Sequence, residues 1–188
     1  MKIILVTGSV NSGKSTFLWN WFNGLTQAQQ ERIGGFVCLP LFDSGNKIYQ
    51  VHELSTRDTY PLMSDDRSQP GTILDCHYLL DAAFERMNRR IREDLRKYDT
   101  LLIDELGLLE LQGMGLAEEI TAALTQDKTL VIVVRKKIVE SSKKKYFSEI
   151  PPGFIHEFQV EKGGTQKEFS DLVLSDNSFS LSNKPSIV

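Results

Sequence analysis

Three observations predict an α/β domain built on a mostly parallel sheet flanked by helices. The apolar runs Ile3 to Val6, Leu101 to Ile103 and Leu130 to Val134 are continuous rather than alternating, as strands covered on both faces require. The stretches between them carry apolar stripes at helical spacing. Strand-like and helix-like segments alternate along the chain, the order in which parallel strands are joined by crossovers. At 188 residues the chain has the length of one domain. Such a chain buries roughly 70% of the surface it would expose unfolded.

The first strand, Ile3 to Val6, stops at Gly8. A helix is expected from about Lys14, because Phe17, Leu18, Trp21, Phe22 and Leu25 form one stripe that can lie on a sheet. Gly34-Gly35 break the pattern, and Phe36 to Phe42 read as a second strand, with Pro40 favouring an edge or an irregular strand. Asp43-Ser44-Gly45-Asn46 is turn chemistry before a further extended stretch, Lys47 to Leu54, so a β-hairpin is expected over 36–54. Residues 55–72 read mostly as loop.

A long helix is expected from about Asp75 to Lys97, on the spacing of Leu80, Phe84, Met87, Ile91 and Leu95. Its other face, with Arg86, Arg89, Arg90, Arg92 and Arg96 among Glu85, Glu93 and Asp94, reads as solvated. The strand Thr100 to Ile103 follows, then a helix around Gly115 to Gln126, the strand Thr129 to Val134, a basic segment Arg135 to Lys145 and a short strand near Phe154 to Val160. From Ser175 the chain is rich in Ser and Asn, so residues 1–174 are expected as the domain and 175–188 as a flexible tail.

The net charge of -3 gives no general attraction to nucleic acid or to anionic membrane. No run reaches the roughly 18 apolar residues of a membrane span, and the N-terminal run is too short for a secretory signal, so a cytoplasmic location is expected. Cys38 and Cys76 stand alone and read as reduced packing residues. His52, His77 and His156 have no ligand spacing, and no protein partner is indicated.

Gly8-Ser9-Val10-Asn11-Ser12-Gly13-Lys14-Ser15 matches the P-loop pattern G-x-x-x-x-G-K-S/T, and Thr16 extends it. A strand before and a helix after are the surroundings that let successive N–H groups wrap phosphates at a helix N-terminus. These residues therefore predict binding of a nucleoside triphosphate such as ATP or GTP. Lys14 is expected to reach the β- and γ-phosphates, and the Ser15 hydroxyl to bind Mg²⁺.

Leu101-Leu102-Ile103-Asp104-Glu105 has the form of the Walker B strand that accompanies a P-loop. Asp104 is expected to hold Mg²⁺. Glu105, at the end of the strand where ligands bind in open sheets, is expected to orient and deprotonate a water. Arg135 follows the next strand and would emerge on the same edge, where an arginine acting in cis can meet the phosphates. A surface cation at a strand end is the other reading of Arg135, and Lys136, Lys137 and Lys143 to Lys145 read as a solvated face.

With the P-loop, Asp104-Glu105-Leu106-Gly107-Leu108-Leu109-Glu110-Leu111 resembles the cancer-related nucleoside-triphosphatase family, whose members typically carry Asp-Glu-Ile-Gly, a basic residue and Met-Glu-Leu at this place. Gly34-Gly35-Phe36 and the hairpin after it are similar to the same family, so the resemblance covers roughly residues 1–135 with gaps. It implies a RecA-like fold with one strand between the P-loop and Walker B strands, and a slow hydrolase of broad nucleotide preference. The chain departs from the family at Asn11, where glycine is usual, and at Leu108, where a basic residue is usual. Asn tolerates a left-handed backbone, so the loop can form. Any transition-state role for the charge lost at position 108 passes elsewhere or is absent, and Arg135 is the available substitute.

Three other readings share these residues. A small-molecule kinase would use the same cradle with an acceptor pocket, to which residues 55–75 or 135–147 would contribute. A GTP switch fits Asp104-Glu105-Leu106-Gly107 as D-x-x-G but lacks the guanine-reading Asn-Lys-x-Asp. A nucleotide-dependent binding module is the third. The base is expected to meet peripheral loops, with residues 160–172 a candidate.

Overall fold

The computed structural model describes residues 1–43, 46–63, 70–74, 77–160 and 164–175. Its elements in chain order are β1 (Lys2–Gly8), α1 (Lys14–Gly24), α2 (Gln27–Gln30), β2 (Ile33–Asp43), β3 (Asn46–Glu53), β4 (Thr59–Pro61), β5 (Gly71–Leu74), β6 (His77–Leu80), α3 (Asp81–Asp94), β7 (Thr100–Leu106), α4 (Leu108–Leu111), α5 (Ala117–Ala123), β8 (Thr129–Arg135), α6 (Val139–Ser142), β9 (Ile155–Gln159) and α7 (Gln166–Leu174). The main sheet has the order β4-β3-β2-β7-β8-β1-β9. Strands β2, β7, β8, β1 and β9 are parallel, and β3 and β4 extend one side antiparallel. The sheet is therefore the mostly parallel one the sequence predicts, with the expected hairpin, and β8 is the single strand between β1 and β7.

Period two along the strands divides the core between the two faces. Ile3, Leu5, Phe36, Ile103 and Ile132 meet Met87 and Ile91 of α3 and Ile120 of α5 on one face. Ile4, Val6, Val37, Leu102, Val131 and Val133 meet Leu18, Trp21 and Phe22 of α1 and Phe169 and Val173 of α7 on the other. Continuous apolar strands are what this two-sided burial demands.

Several boundaries differ from expectation, each for a local reason. Strand β2 begins at Ile33 rather than Phe36, because Ile33 to Phe36 pair with Thr100 to Ile103. Gly35 lies inside it at φ 95°, and a Cβ there would stand 1.9 Å from the Leu102 carbonyl oxygen, so only glycine fits. Pro40 does not mark an edge strand, since β2 has neighbours on both sides. Cys38 turns its N–H toward Asp104 on the β7 side. By period two the missing N–H of Pro40 falls on that side, beyond the stretch of β2 paired with β7.

The long helix starts at Asp81, not Asp75. Leu80 belongs to β6, which pairs with β5, and its N–H bonds the Leu62 carbonyl oxygen. Residues 55–72 are less loop-like than expected, holding β4, the Met63 bridge to Leu79 and the start of β5. The basic segment after β8 is helical, with a 3-10 turn at Lys136–Ile138, then α6, then a π-helical turn at Lys143–Phe147. Residues 166–172, offered as a base-reading loop, lie in α7. Thr165 and Glu168 form a capping box at its start, and Phe169 is fully buried against Trp21, with ring centroids 4.9 Å apart. Cys76 and the expected tail beyond Ser175 lie outside the described residues.

The arginine face of α3 is also a correction, since part of it is tied to the sheet. Glu53, whose side chain is fully buried, accepts from Arg86 Nε and Arg90 Nε, each at 2.9 Å. Asp94, also buried, accepts from the Gly35 N–H at 2.7 Å and from the Ser55 hydroxyl. The hairpin is thereby fastened to α3. Burial alone would raise the Glu53 pKa, but the Thr56 hydroxyl, Arg86 and Arg90 together hold it below the ordinary carboxylate value. A depressed folded pKa gives stability that is present above the unfolded pKa and lost as pH falls through the folded one. Glu53→Gln is expected to cost about 1–3 kcal/mol at neutral pH, below the full penalty of a broken buried pair because Arg86 and Arg90 reach water. Urea denaturation across pH checks this: the gap from wild type should close on acidification, and a gap independent of pH would exclude the ion pairs as its source.

Candidate active site

Strand β1, buried along its whole length, delivers Gly8 to the carboxyl edge of the sheet, and the loop from Ser9 to Gly13 leads into α1. A turn closes the loop through the Ser12 N–H and the Ser9 carbonyl, 3.3 Å apart. Asn11 and Gly13 take positive φ, 62° and 83°, so the tolerance expected of Asn at this position is used. A Cβ on Gly8 would stand 2.5 Å from Ser12 Oγ, which accounts for glycine there. The Phe17 N–H bonds the Gly13 carbonyl at 2.8 Å, so the amides of Lys14, Ser15 and Thr16 precede the helical ladder and face the loop's concavity. Lys14 is buried, with Nζ 3.2 Å from the Gly8 carbonyl oxygen and 2.7 Å from that of Ser9. This ammonium lies folded over the loop it serves. Ser12 Oγ is buried without a hydrogen-bond partner, the kind of group a phosphate oxygen satisfies.

The carboxylates come from β7. Asp104 is almost fully buried and accepts from the Cys38 N–H at 2.9 Å, while the Cys38 thiol donates to the Asp104 carbonyl oxygen at 2.9 Å. Burial, and then the charge of Glu105, push the Asp104 pKa up to about 7, against the Ser15 hydroxyl, the Cys38 N–H and Lys14, which pull it down. The Cys38 thiol is pushed well above its usual value by burial and by the nearby carboxylates, which leaves it a packing residue, as expected. Register between β7 and β8 shifts between Ile103 and Leu106, and Glu105 lies in that interval. Its carboxylate accepts from Arg135 Nε at 2.6 Å, with both side chains partly open to solvent.

One cleft of about 570 Å³ gathers these groups: Val10 to Thr16, Asp104, Glu105 and Arg135 all line it. Gly8 and Ser9 lie behind Lys14. Val10 is exposed at the loop's tip. The lysines after Arg135 stand apart from the cleft's described lining, and Lys145 bonds the carbonyl oxygens of Glu110 and Leu111.

Sequence reasoning missed a support. Glu110 is buried and accepts from the Gly107 N–H at 2.8 Å and the Leu116 N–H at 3.1 Å, closing the turn that follows Glu105. Tyr146 donates to its carbonyl oxygen. Burial raises the Glu110 pKa despite those two amides. The signal was a Glu three residues after Gly107, placed to accept from the N-cap N–H, which is the half of a capping box a glycine allows.

The donor set fits Mg²⁺. Ser15 and Asp104 both offer oxygen to the same cleft, and a divalent ion there would offset the burial of the Asp104 charge. No group of three or more His, Cys, Asp or Glu gathers at metal-binding distance among the described residues. An ion at this place would thus take its remaining ligands from phosphate and water, as Mg²⁺ commonly does.

Comparison with known proteins places the chain among nucleoside triphosphatases. The nucleoside-triphosphatase THEP1 of Sulfolobus acidocaldarius is 30% identical over 140 residues, 72% of this chain and 77% of its own length. That of Saccharolobus solfataricus is 25% identical over 135 residues, 71% of this chain and 75% of its own. Two solved structures share the fold. The crystal structure of THEP1 from Aquifex aeolicus has a TM-score of 0.61 at 16% identity, covering 92% of this chain and 99% of that one. The solution structure of a human cancer-related nucleoside triphosphatase has a TM-score of 0.65 at 18% identity, covering 98% and 100%. The NTPase family model matches residues 3–162, and with the cradle and carboxylates in place the chain belongs to that family of nucleoside triphosphatases.

Proposed function

We propose that the chain hydrolyses nucleoside triphosphates to the diphosphate and phosphate with Mg²⁺, using Gly8 to Thr16 as the phosphate cradle and Glu105 as the base for water. The observation that carries this reading is the position of Glu105: next to the last residue of β7, it shares one cleft with the P-loop and with Asp104. Amides at the start of α1 receive the phosphates, and the Lys14 ammonium leaves the loop carbonyls for the β- and γ-oxygens. Ser15 and Asp104 would hold the ion. Bound there, Mg²⁺ neutralises charge on the transferring phosphoryl group.

Arg135 gives the site two arrangements. In this structure it holds Glu105. A γ-phosphate in the cleft offers a more charged acceptor, so Arg135 turns to it and Glu105 is left to orient water. This supplies the positive charge that Leu108 lacks. The NTPase domain spans residues 1–174, and its compartment in this reading is the cytoplasm, where triphosphates and Mg²⁺ are plentiful. No described helix is long and apolar enough to cross a membrane.

The test is phosphate release from ATP, GTP, CTP and UTP, with Mg²⁺ or with EDTA. Release should stop in EDTA. Asp104→Asn should raise the Mg²⁺ needed for half-maximal rate by about 10- to 100-fold, the range seen when a group ordering a metal is removed. Release that persists in EDTA, or an unchanged Mg²⁺ midpoint in the variant, sinks the metal assignment.

A further inference from the structure

Only one end of the cleft suits phosphates. The rest is apolar, lined by Tyr49, Leu62, Met63, Leu79, Phe84 and Leu109. Its walls are held by backbone bonds rather than by loose side chains. The Leu62 N–H bonds the Tyr49 carbonyl at 2.9 Å, the Leu80 N–H bonds the Leu62 carbonyl at 3.0 Å, and Met63 pairs with Leu79. Helix α3 contributes Phe84, and α4, anchored by Glu110, contributes Leu109.

Topology says which end of a nucleotide this chamber meets. Across the sheet from β1 come β8, then β7, then β2 and β3. The P-loop follows β1, Asp104 and Glu105 lie near the carboxyl end of β7, and from them the cleft runs past Cys38 and Pro40 of β2 to the chamber, which takes Tyr49 from β3. A P-loop fixes the direction of the triphosphate, with the terminal phosphate at the metal carboxylate and the nucleoside leading away. The chamber therefore opens off the terminal phosphate, where an acceptor stands, and not off the base. A water molecule gains nothing from such walls, whereas the body of a small organic molecule does.

Charge narrows the choice. Among the described residues no Lys or Arg lines the chamber apart from Lys14 and Arg135 at its phosphate end, and Asp104, Glu105 and Glu110 stand at that junction. An anionic acceptor such as a nucleoside monophosphate would be repelled there and find no partner.

We propose that this chamber is an acceptor site, at which the protein transfers the terminal phosphoryl group to the hydroxyl of a small uncharged alcohol with a compact apolar body. The proposal rests on the phosphate placement of the hydrolase reading. The hydroxyl oxygen attacks the terminal phosphorus, the bond from that phosphorus to the β–γ bridging oxygen breaks, and the hydroxyl proton passes to Glu105. The products are a phosphate monoester and the nucleoside diphosphate. Water uses the same base when the chamber holds no alcohol.

The full chain is incubated with ATP, Mg²⁺ and, separately, the primary alcohols from ethanol to hexanol, 2-phenylethanol and cyclohexylmethanol, and monoester and inorganic phosphate are counted by ³¹P NMR. The ester-to-phosphate ratio at equal alcohol concentration should rise about fourfold for each methylene that enters the chamber. Phe84→Trp, which narrows the chamber, should flatten that rise while phosphate release without alcohol continues. Phosphate with no ester from any alcohol overturns the acceptor site and leaves the hydrolase reading standing. Ester at a ratio independent of chain length also overturns it, since that is solvolysis in an open site. Ester without phosphate supports the acceptor site and removes the hydrolase reading, and neither product removes both.

Discussion

Glu105→Gln should lower the rate of phosphate release by about 10²- to 10⁴-fold, the range a positioned general base supplies, while nucleotide affinity stays nearly unchanged. The amide keeps the shape of the carboxylate, and its carbonyl oxygen can still accept from Arg135 Nε, now 2.6 Å from Glu105. What it loses is the capacity to take a proton from water. Single-turnover release from labelled ATP separates the step from binding. Glu105→Ala tests the other half of the role, because it also frees Arg135. If pairing with Arg135 restrains the nucleotide-free site, the alanine variant should bind triphosphate at least as tightly as Glu105→Gln. A Glu105→Gln protein that turns over at the wild-type rate removes Glu105 as base. One that is slow only because it no longer binds makes Glu105 a binding residue.

The sheet and the cradle were legible in the sequence for a shared physical reason. Strands buried on both faces must be apolar without interruption, so Ile3 to Val6 and Leu130 to Val134 announced themselves. A loop that wraps phosphate with its backbone needs Gly8, Gly13 and a tolerant residue at position 11. Asp104 and Glu105 were readable because the strand before them is so plain. Less visible was whatever depends on partners distant in sequence. The arginines of α3 look solvated in a list of residues, yet two of them meet Glu53, more than 30 positions away. Leu80 continues a helical spacing, but its N–H is taken by Leu62 and the helix waits for Asp81. The apolar chamber is assembled from β3, residues 62–63, β6, α3 and α4, which no local pattern joins. Glu110 and α7 are different cases: a Glu three residues after Gly107 and the capping-box spacing Thr165-x-x-Glu168 marked them, and they went unread beside the stronger motif.

Lys14→Ala should have the largest effect, lowering kcat/KM by about 10³-fold or more, since removing one neutral donor to developing charge already costs about 10²- to 10³-fold and this donor carries a full charge. Unlike Glu105→Gln it should weaken binding as well, because the ammonium meets phosphate oxygens in ground and transition states alike. Thermal unfolding gives a readout independent of turnover. Nucleotide at 100 times its Kd stabilises the wild type by about 2.7 kcal/mol, and the same concentration should move the Tm of Lys14→Ala far less. The variant's own stability is a balance of opposed terms. The Gly8 and Ser9 carbonyls lose the donor now 3.2 and 2.7 Å away, but a buried charge is also removed, so the nucleotide-free Tm should shift little. Lys14→Arg is the sharper control. It keeps the charge but places a planar fork where a compact ammonium lies over two loop carbonyls, so it should recover part of the affinity and little of the rate. A Lys14→Ala protein with wild-type nucleotide stabilisation would place the phosphates somewhere other than this loop, and the roles given to Ser15, Asp104 and Glu105 would go with them.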